Sequence, residues 1–228
     1  MKAAKSRLCA YCGGDAATVD HVVSRALYPP SKAASRKPRI TVPACVPCNG
    51  GWTDDEPHFR NVMMVAGEPN AAVRELWEGK IRRSFRHADG HRRVRELAEK
   101  FEPVETEQGT RHMIFPARDE RVKRVVRKTV RGLCHHHGLL SPVADDQVMV
   151  DIHRFAIPDE FYEQMTAAHA EADILEYRYA VIEEEDIHSG WLLTFYGRTP
   201  FLCLVFHSAA ALRKVEVEAL REPPNPRT

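Results

Sequence analysis

The sequence predicts an α+β protein in which a zinc-clamped N-terminal module is followed by a helical segment and a small antiparallel sheet with helices. Three observations carry that expectation. Cys9-Ala10-Tyr11-Cys12 is answered, after 32 intervening residues, by Cys45-Val46-Pro47-Cys48. Between 119 and 137 apolar residues recur at helical spacing, and from 148 onward they gather instead into short β-branched and aromatic runs.

Composition sets the bounds. Of 228 residues, 43% are apolar, ample for a core. There is no run of eighteen apolar residues, and MKAAKSRLCAYC enters the first cysteine pair with no signal-peptide core, so a cytoplasmic protein with no membrane partner is expected. Net charge is only +1, yet it is unevenly spread. Residues 1–140 hold 26 Lys+Arg against 16 Asp+Glu, net +10, and residues 141–228 hold 7 against 16, net −9. A basic front on an acidic back is the asymmetry expected when one part meets phosphates and the other does not. The division suggested is a module over 1–68, a basic helical positioning segment over 69–140, and an acidic α+β domain over 141–228 whose role is unassigned.

Taken in order, the two C-x2-C pairs bring Cys9, Cys12, Cys45 and Cys48 together at the tight-turn spacing of a tetrahedral zinc site. Four thiolates close the shell, so such a site holds structure and leaves no position for reacting water. The alternatives are two disulfides, which need an oxidising compartment that nothing else in the sequence suggests, or four unrelated core cysteines, which the paired C-x2-C spacing argues against. Between the pairs, Asp20-His21-Val22-Val23-Ser24-Arg25-Ala26-Leu27-Tyr28-Pro29 sets an acid and an imidazole on a β-branched run that reads as a strand. Strand neighbours face opposite ways, so for Asp20 and His21 to serve one site the strand must end or bend there.

After Asn49, Thr53-Asp54-Asp55-Glu56-Pro57 has the grammar of a helix start, and Phe59, Val62, Met63 and Ala66 give one apolar face before Gly67. Asp54 and Glu56 lie near enough in sequence to add metal ligands, although first-turn acids commonly just complement the helix dipole. His58 reads as a solvated helix residue. Residues 69–100 alternate helix formers with arginine, and Phe101 to Phe115 reads as a hairpin about Gln108-Gly109. Asp119 to His137 is a helix with Val122, Val125, Val126, Val130 and Leu133 on one face, Lys and Arg over the rest, and a stop at Gly138. His135, His136 and His137 point in three directions, which argues against a shared ion. Beyond Val148 follow a strand to Phe155, a helix opened by Pro158-Asp159-Glu160, and strands at 176–182, 191–196 and 201–206, the last two joined through Gly197-Arg198-Thr199-Pro200. Glu183 to Asp186 reads as a loop, Cys203 as a core residue, and Arg221 to Pro226 as a frayed tail.

The N-terminal pattern resembles the HNH, or ββα-metal, endonuclease superfamily in its version with a structural four-cysteine zinc site. The matching residues are CAYC at 9–12, DHVVSRALYP at 20–29 and VPACVPCN at 42–49. Two positions depart from the family pattern: Ile40 and Thr41 stand where its central Asn would fall, and Ser24 stands in place of its common proline. The resemblance implies metal-dependent hydrolysis of DNA, RNA not being excluded, with His21 as general base, and Asp20 and Asn49 as ligands of a catalytic Mg2+ or Mn2+ distinct from the zinc. Those residue types suit the chemistry on their own account, since an imidazole can take a proton from water near neutral pH and carboxylate and amide oxygens suit hard cations. Two rivals belong to other classes. One is a zinc-stabilised nucleic-acid-binding module without catalysis; the other is an interaction protein that docks a partner, or a second copy of itself, through residues 141–228.

Overall fold

The structure is a computed structural model that describes residues 7–33, 38–152, 158–171 and 173–221. It is an α+β protein with small antiparallel sheets and a four-cysteine cluster near its N-terminus.

The N-terminal part opens with a short hairpin of β1 (Thr18–His21) and β2 (Thr41–Ala44), paired antiparallel with Asp20 opposite Val42. The expected longer strand over 20–29 is not formed. After His21 the chain bends, because the Ser24 hydroxyl accepts a hydrogen bond from Ala26 N at 3.2 Å and starts a 3-10 turn over Arg25–Leu27. Val22 and Val23 turn inward and are buried. The short helices α1 (Pro30–Ala33) and α2 (Val46–Gly50) lead to α3 (Asp55–Val65), whose Phe59, Val62 and Met63 are fully buried, as the apolar spacing requires.

The middle of the chain is helical: α4 (Ala71–Leu76), a π-type turn over Trp77–Ile81, α5 (Arg82–Ser84) and α6 (Gly90–Ala98). The hairpin of β3 (Phe101–Thr106) and β4 (Gly109–Ile114) follows, with Thr106 opposite Gly109. Then comes α7 (Glu120–His136), opened by the Asp119 side chain accepting from Arg121 N at 2.9 Å and ended at Gly138, whose φ of 69° suits glycine.

The C-terminal part is one five-stranded antiparallel sheet in the order β5-β9-β8-β7-β6. Its strands are β5 (Val148–Ile152), β6 (Thr166–Glu171), β7 (Leu175–Val181), β8 (Ile187–Phe195) and β9 (Thr199–Phe206), with α8 (Asp159–Gln164) before β6. The expected continuation of β5 to Phe155 lies outside the described residues. Register places Val150 beside Cys203, Cys203 beside Trp191 and Trp191 beside Tyr179, so one face of four strands is continuous and apolar. That face receives α3 and α7; Phe59 meets Phe195 edge-on with centroids 5.0 Å apart. The opposite face is covered in part by α9 (Ala209–Arg221), where Ala211 and Leu212 pack with Phe206.

Among the described residues the larger apolar core runs from Cys9 through α3 and α7 to Val205, crossing positions 68 and 140 without a break. The helix α7 is its axis, with the sheet on one side and the β1–β2 hairpin on the other. Gly132 allows the close approach: a methyl group there would come within 2.8 Å of Val22 Cγ2. Among the described residues no helix is long and apolar enough to cross a membrane.

Candidate functional site

The cysteines converge through two local turns. In the first, Cys9 N donates to Gly14 O at 2.7 Å and Gly13 N to Cys9 O at 2.9 Å, with Gly13 at φ 75°. In the second, Cys45 stands before the first turn of α2 and Asn49 N donates back to Cys45 O at 2.9 Å. Ala10 N reaches Pro43 O at 2.9 Å and ties the two turns together. All four sulfurs lie within 4.8 Å of one another, and none is in a disulfide. Cys12 Sγ and Cys45 Sγ are 3.7 Å apart, against an edge of roughly 3.8 Å for a tetrahedron with zinc–sulfur bonds of about 2.3 Å. The donor set therefore fits a metal of that kind. Among the described residues these cysteines are the one such group of His, Cys, Asp and Glu placed to hold an ion.

Asp20 and His21 end β1. Asp20 is buried and faces α7. Tyr11 Oη donates to its Oδ2 at 2.7 Å, and Lys128 Nζ stands 3.0 Å from the same oxygen and 3.3 Å from Oδ1. Lys128 is only 1% exposed and is also 2.6 Å from Glu56 Oε1 and 3.3 Å from the His21 carbonyl. Glu56 completes the cluster by accepting from Ser24 Oγ at 2.6 Å. An ammonium thus sits against Asp20 where the resemblance would put a divalent cation, and both Asp20 oxygens are taken by donors. Asn49 turns its amide nitrogen to Thr18 Oγ1 at 3.1 Å. As arranged, Asp20 and Asn49 do not fit a shared Mg2+ or Mn2+, and no chemical step is routed here through such an ion.

His21 is half-buried, and among the described residues no hydrogen bond engages its ring. Burial lowers its pKa below the ordinary histidine value, and the charges of Arg25 and Arg39 push the same way, so the ring is neutral at pH 7 and able to accept a proton. The loop that follows is closed from the backbone: Val22 N donates to the carbonyl of Ile40 at 3.1 Å, at the position where the family's central Asn is missing. Ser24, the other departure, serves both the 3-10 turn and Glu56.

Several site residues escaped the sequence reading. Lys128 and Arg131 belong to the cations expected off the apolar face of α7, yet both are buried, and Arg131 donates to Tyr11 O at 2.8 Å and Val143 O at 2.6 Å. A signal did exist, because Val125, Lys128 and Gly132 follow at i, i+3 and i+7 and so share a face, with the glycine marking a close approach. His58 is not a solvated helix residue. It is buried, with Nε2 2.8 Å from Asp119 Oδ2. His135 and His137 part as expected, the first to Ser141 Oγ at 2.8 Å and the second to Tyr177 Oη at 2.9 Å.

No protein-family model, curated protein or solved structure matches this chain.

Proposed function

We propose that this chain is a nuclease of the HNH type, with a structural zinc on Cys9, Cys12, Cys45 and Cys48 and His21 as the general base that hydrolyses phosphodiester bonds in DNA. The observation that carries the reading is the His21 ring, neutral and without a partner among the described residues, at the end of β1 under the charges of Arg25 and Arg39. A neutral imidazole can take the proton of a water that attacks phosphorus. The charges of Arg25 and Arg39 would offset part of the charge on the phosphate. The zinc cluster and the Ile40 carbonyl hold the two strands whose ends present that ring.

A second reading is favoured by Lys128. Because its ammonium neutralises Asp20 and Glu56, the chain has the features of a zinc-stabilised nucleic-acid-binding module without a catalytic metal. One experiment separates the two. Supercoiled plasmid is incubated with wild type and His21→Ala, in Mg2+, in Mn2+ and in EDTA, alongside DNA binding at several salt concentrations. Cleavage by wild type and not by His21→Ala supports the nuclease, and the EDTA arm decides whether a divalent ion takes part. Salt-dependent binding with no cleavage in any arm would replace the nuclease by the binding module.

A further inference from the structure

Trp77 keeps 41% of its surface exposed in the middle of the helical segment, whereas Trp52 and Trp191 are buried. Phe85 backs it edge-on, with ring centroids 6.0 Å apart. Beside it, between the end of α3 and α4, lies a slot of about 280 Å3, just below the roughly 300–1,000 Å3 of sites for drug-sized ligands. Met64, Val65, Pro69 and Val73 line it together with Trp77, and its polar lining side chains are Arg74 and Glu78. Neither of these two forms an ion pair among the described residues. Glu75 is occupied elsewhere, accepting from Ser31 N at 2.7 Å and Ser31 Oγ at 2.5 Å.

The backbone brings cations to the side of that ring. Arg74 precedes Trp77 by three residues, one turn back along the helix. Arg82 follows it by five, which in an α-helix is a rotation of about 140° away. Here the run over Trp77–Ile81 is π-type and Arg82 N donates to Trp77 O, so Arg82 stands about one turn beyond Trp77 instead. The wide turn thus lines up Arg74, Trp77 and Arg82, and such turns are rare and concentrated at functional sites. Residues 79–95 hold seven Lys+Arg against one Asp, and Arg82, Arg86 and Arg95 are exposed with no ion pair among the described residues. This helical run is also braced against the segment that leaves the His21 loop: Glu75 holds Ser31, and a methyl group on Gly79 would touch Pro30 at 3.7 Å.

An exposed indole, an apolar slot and unpaired guanidiniums on both sides match a polymer that alternates flat bases with phosphates. A duplex keeps its bases stacked inside, so a single strand is the form that can offer one to the slot. We propose that Trp77 and its slot take one unstacked base of a single-stranded nucleic acid. Arg74 and Arg82 hold the flanking phosphates, and Glu78 accepts from an amino group on the base edge. The inference rests on the nucleic-acid part of the reading above and not on cleavage by His21.

The test titrates the full chain with a short DNA oligonucleotide and an RNA of the same sequence, each as a single strand and as a duplex, at several salt concentrations. Wild type should bind the single strand more tightly than the duplex. Trp77→Ala should weaken single-strand binding roughly tenfold, with Trp77→Phe, which keeps a stacking face, recovering much of the loss. Arg82→Gln reads the same site independently of the indole and should reduce the slope of log affinity against log salt by about 0.7. Tyr162→Ala removes an exposed aromatic on α8 and should change nothing. The strand, DNA or RNA, with the larger Trp77 effect is the occupant. The proposal is overturned if Trp77→Ala and Arg82→Gln bind single strands as wild type does, if duplex affinity falls equally, or if Tyr162→Ala is as damaging. Wild type that binds neither strand nor duplex overturns it together with the nucleic-acid reading. Trp77-dependent binding without plasmid cleavage upholds it while the nuclease reading fails.

Discussion

Lys128 and Asp20, 108 positions apart in sequence, meet in the interior with Nζ 3.0 Å from Oδ2. Lys128→Met would leave Asp20 and Glu56 with no cation between them. Removing one member of a buried pair typically costs about 3–5 kcal/mol, and the variant should lose stability on that scale in urea unfolding. Adding Glu56→Gln should restore part of it, since one of the uncompensated charges is then gone. A Lys128→Met protein as stable as wild type would mean the cluster is solvated.

The cysteine cluster should hold one zinc per chain. Binding of a structural zinc contributes on the order of 10 kcal/mol to folding, so Cys45→Ser should unfold far more readily. Asp20→Ala and Asn49→Ala should keep the metal, because neither side chain belongs to the four-sulfur group. Elemental analysis of the purified proteins decides the point.

Loss of the general base in His21→Ala should lower the cleavage rate by about 10^2 to 10^4. The wild-type rate should rise with pH and level off below the ordinary histidine value of 6.5, because burial, Arg25 and Arg39 favour the neutral ring. Arg25→Gln should move that acid limb upward. A limb lying above 6.5 in wild type would assign it to some other group.

These residues also mark how far the sequence can be read. Cysteine spacing and the period of α7 are local signals, and both elements stand where they were expected. The partners of buried charges are not local: His58 meets Asp119 across 61 positions, and a helix-start pattern looks the same whether its histidine faces water or a carboxylate. The strand over 20–29 was overread because Val22 and Val23 have the residue types of a strand but are buried as a bend against α7. β6 was missed for the opposite reason. Its Thr-Ala-Ala-His-Ala-Glu lacks β-branched alternation, and it stands at the sheet edge, paired only to β7. α9 was missed as well, although Ser208, whose Oγ accepts from Ala211 N at 3.1 Å, is the kind of N-cap residue that could have marked its start.

Gly132→Ala should destabilise by about 1–3 kcal/mol through overpacking, since the new methyl would meet Val22 at 2.8 Å. Pairing it with Val22→Ala should recover most of the loss, which a mere helix-propensity effect would not allow. The comparison of the two single variants and the double variant in thermal unfolding measures the coupling.

Asp119 should make the fold acid-sensitive. Burial works against its charged form, but hydrogen bonds from His58 and Lys100 hold its carboxyl well below the usual carboxylate range. A group lowered in the folded state contributes stability above its unfolded value, near 3.8, and loses it as pH falls toward the folded value. Asp119→Asn should therefore be less stable than wild type at pH 7, with the gap narrowing as pH falls below about 4. A gap independent of pH would show that the carboxylate's charge is not what matters.

The position of α7 also sets an order of events on the ribosome. The cysteines emerge before α7, but the hairpin that carries them finishes its interior only against Val125, Lys128 and Gly132, which leave the exit tunnel much later. Until then the nascent chain exposes four thiols and an apolar hairpin face together. Metal capture during synthesis would keep those thiols from oxidation and the hairpin from straying before its partner helix arrives.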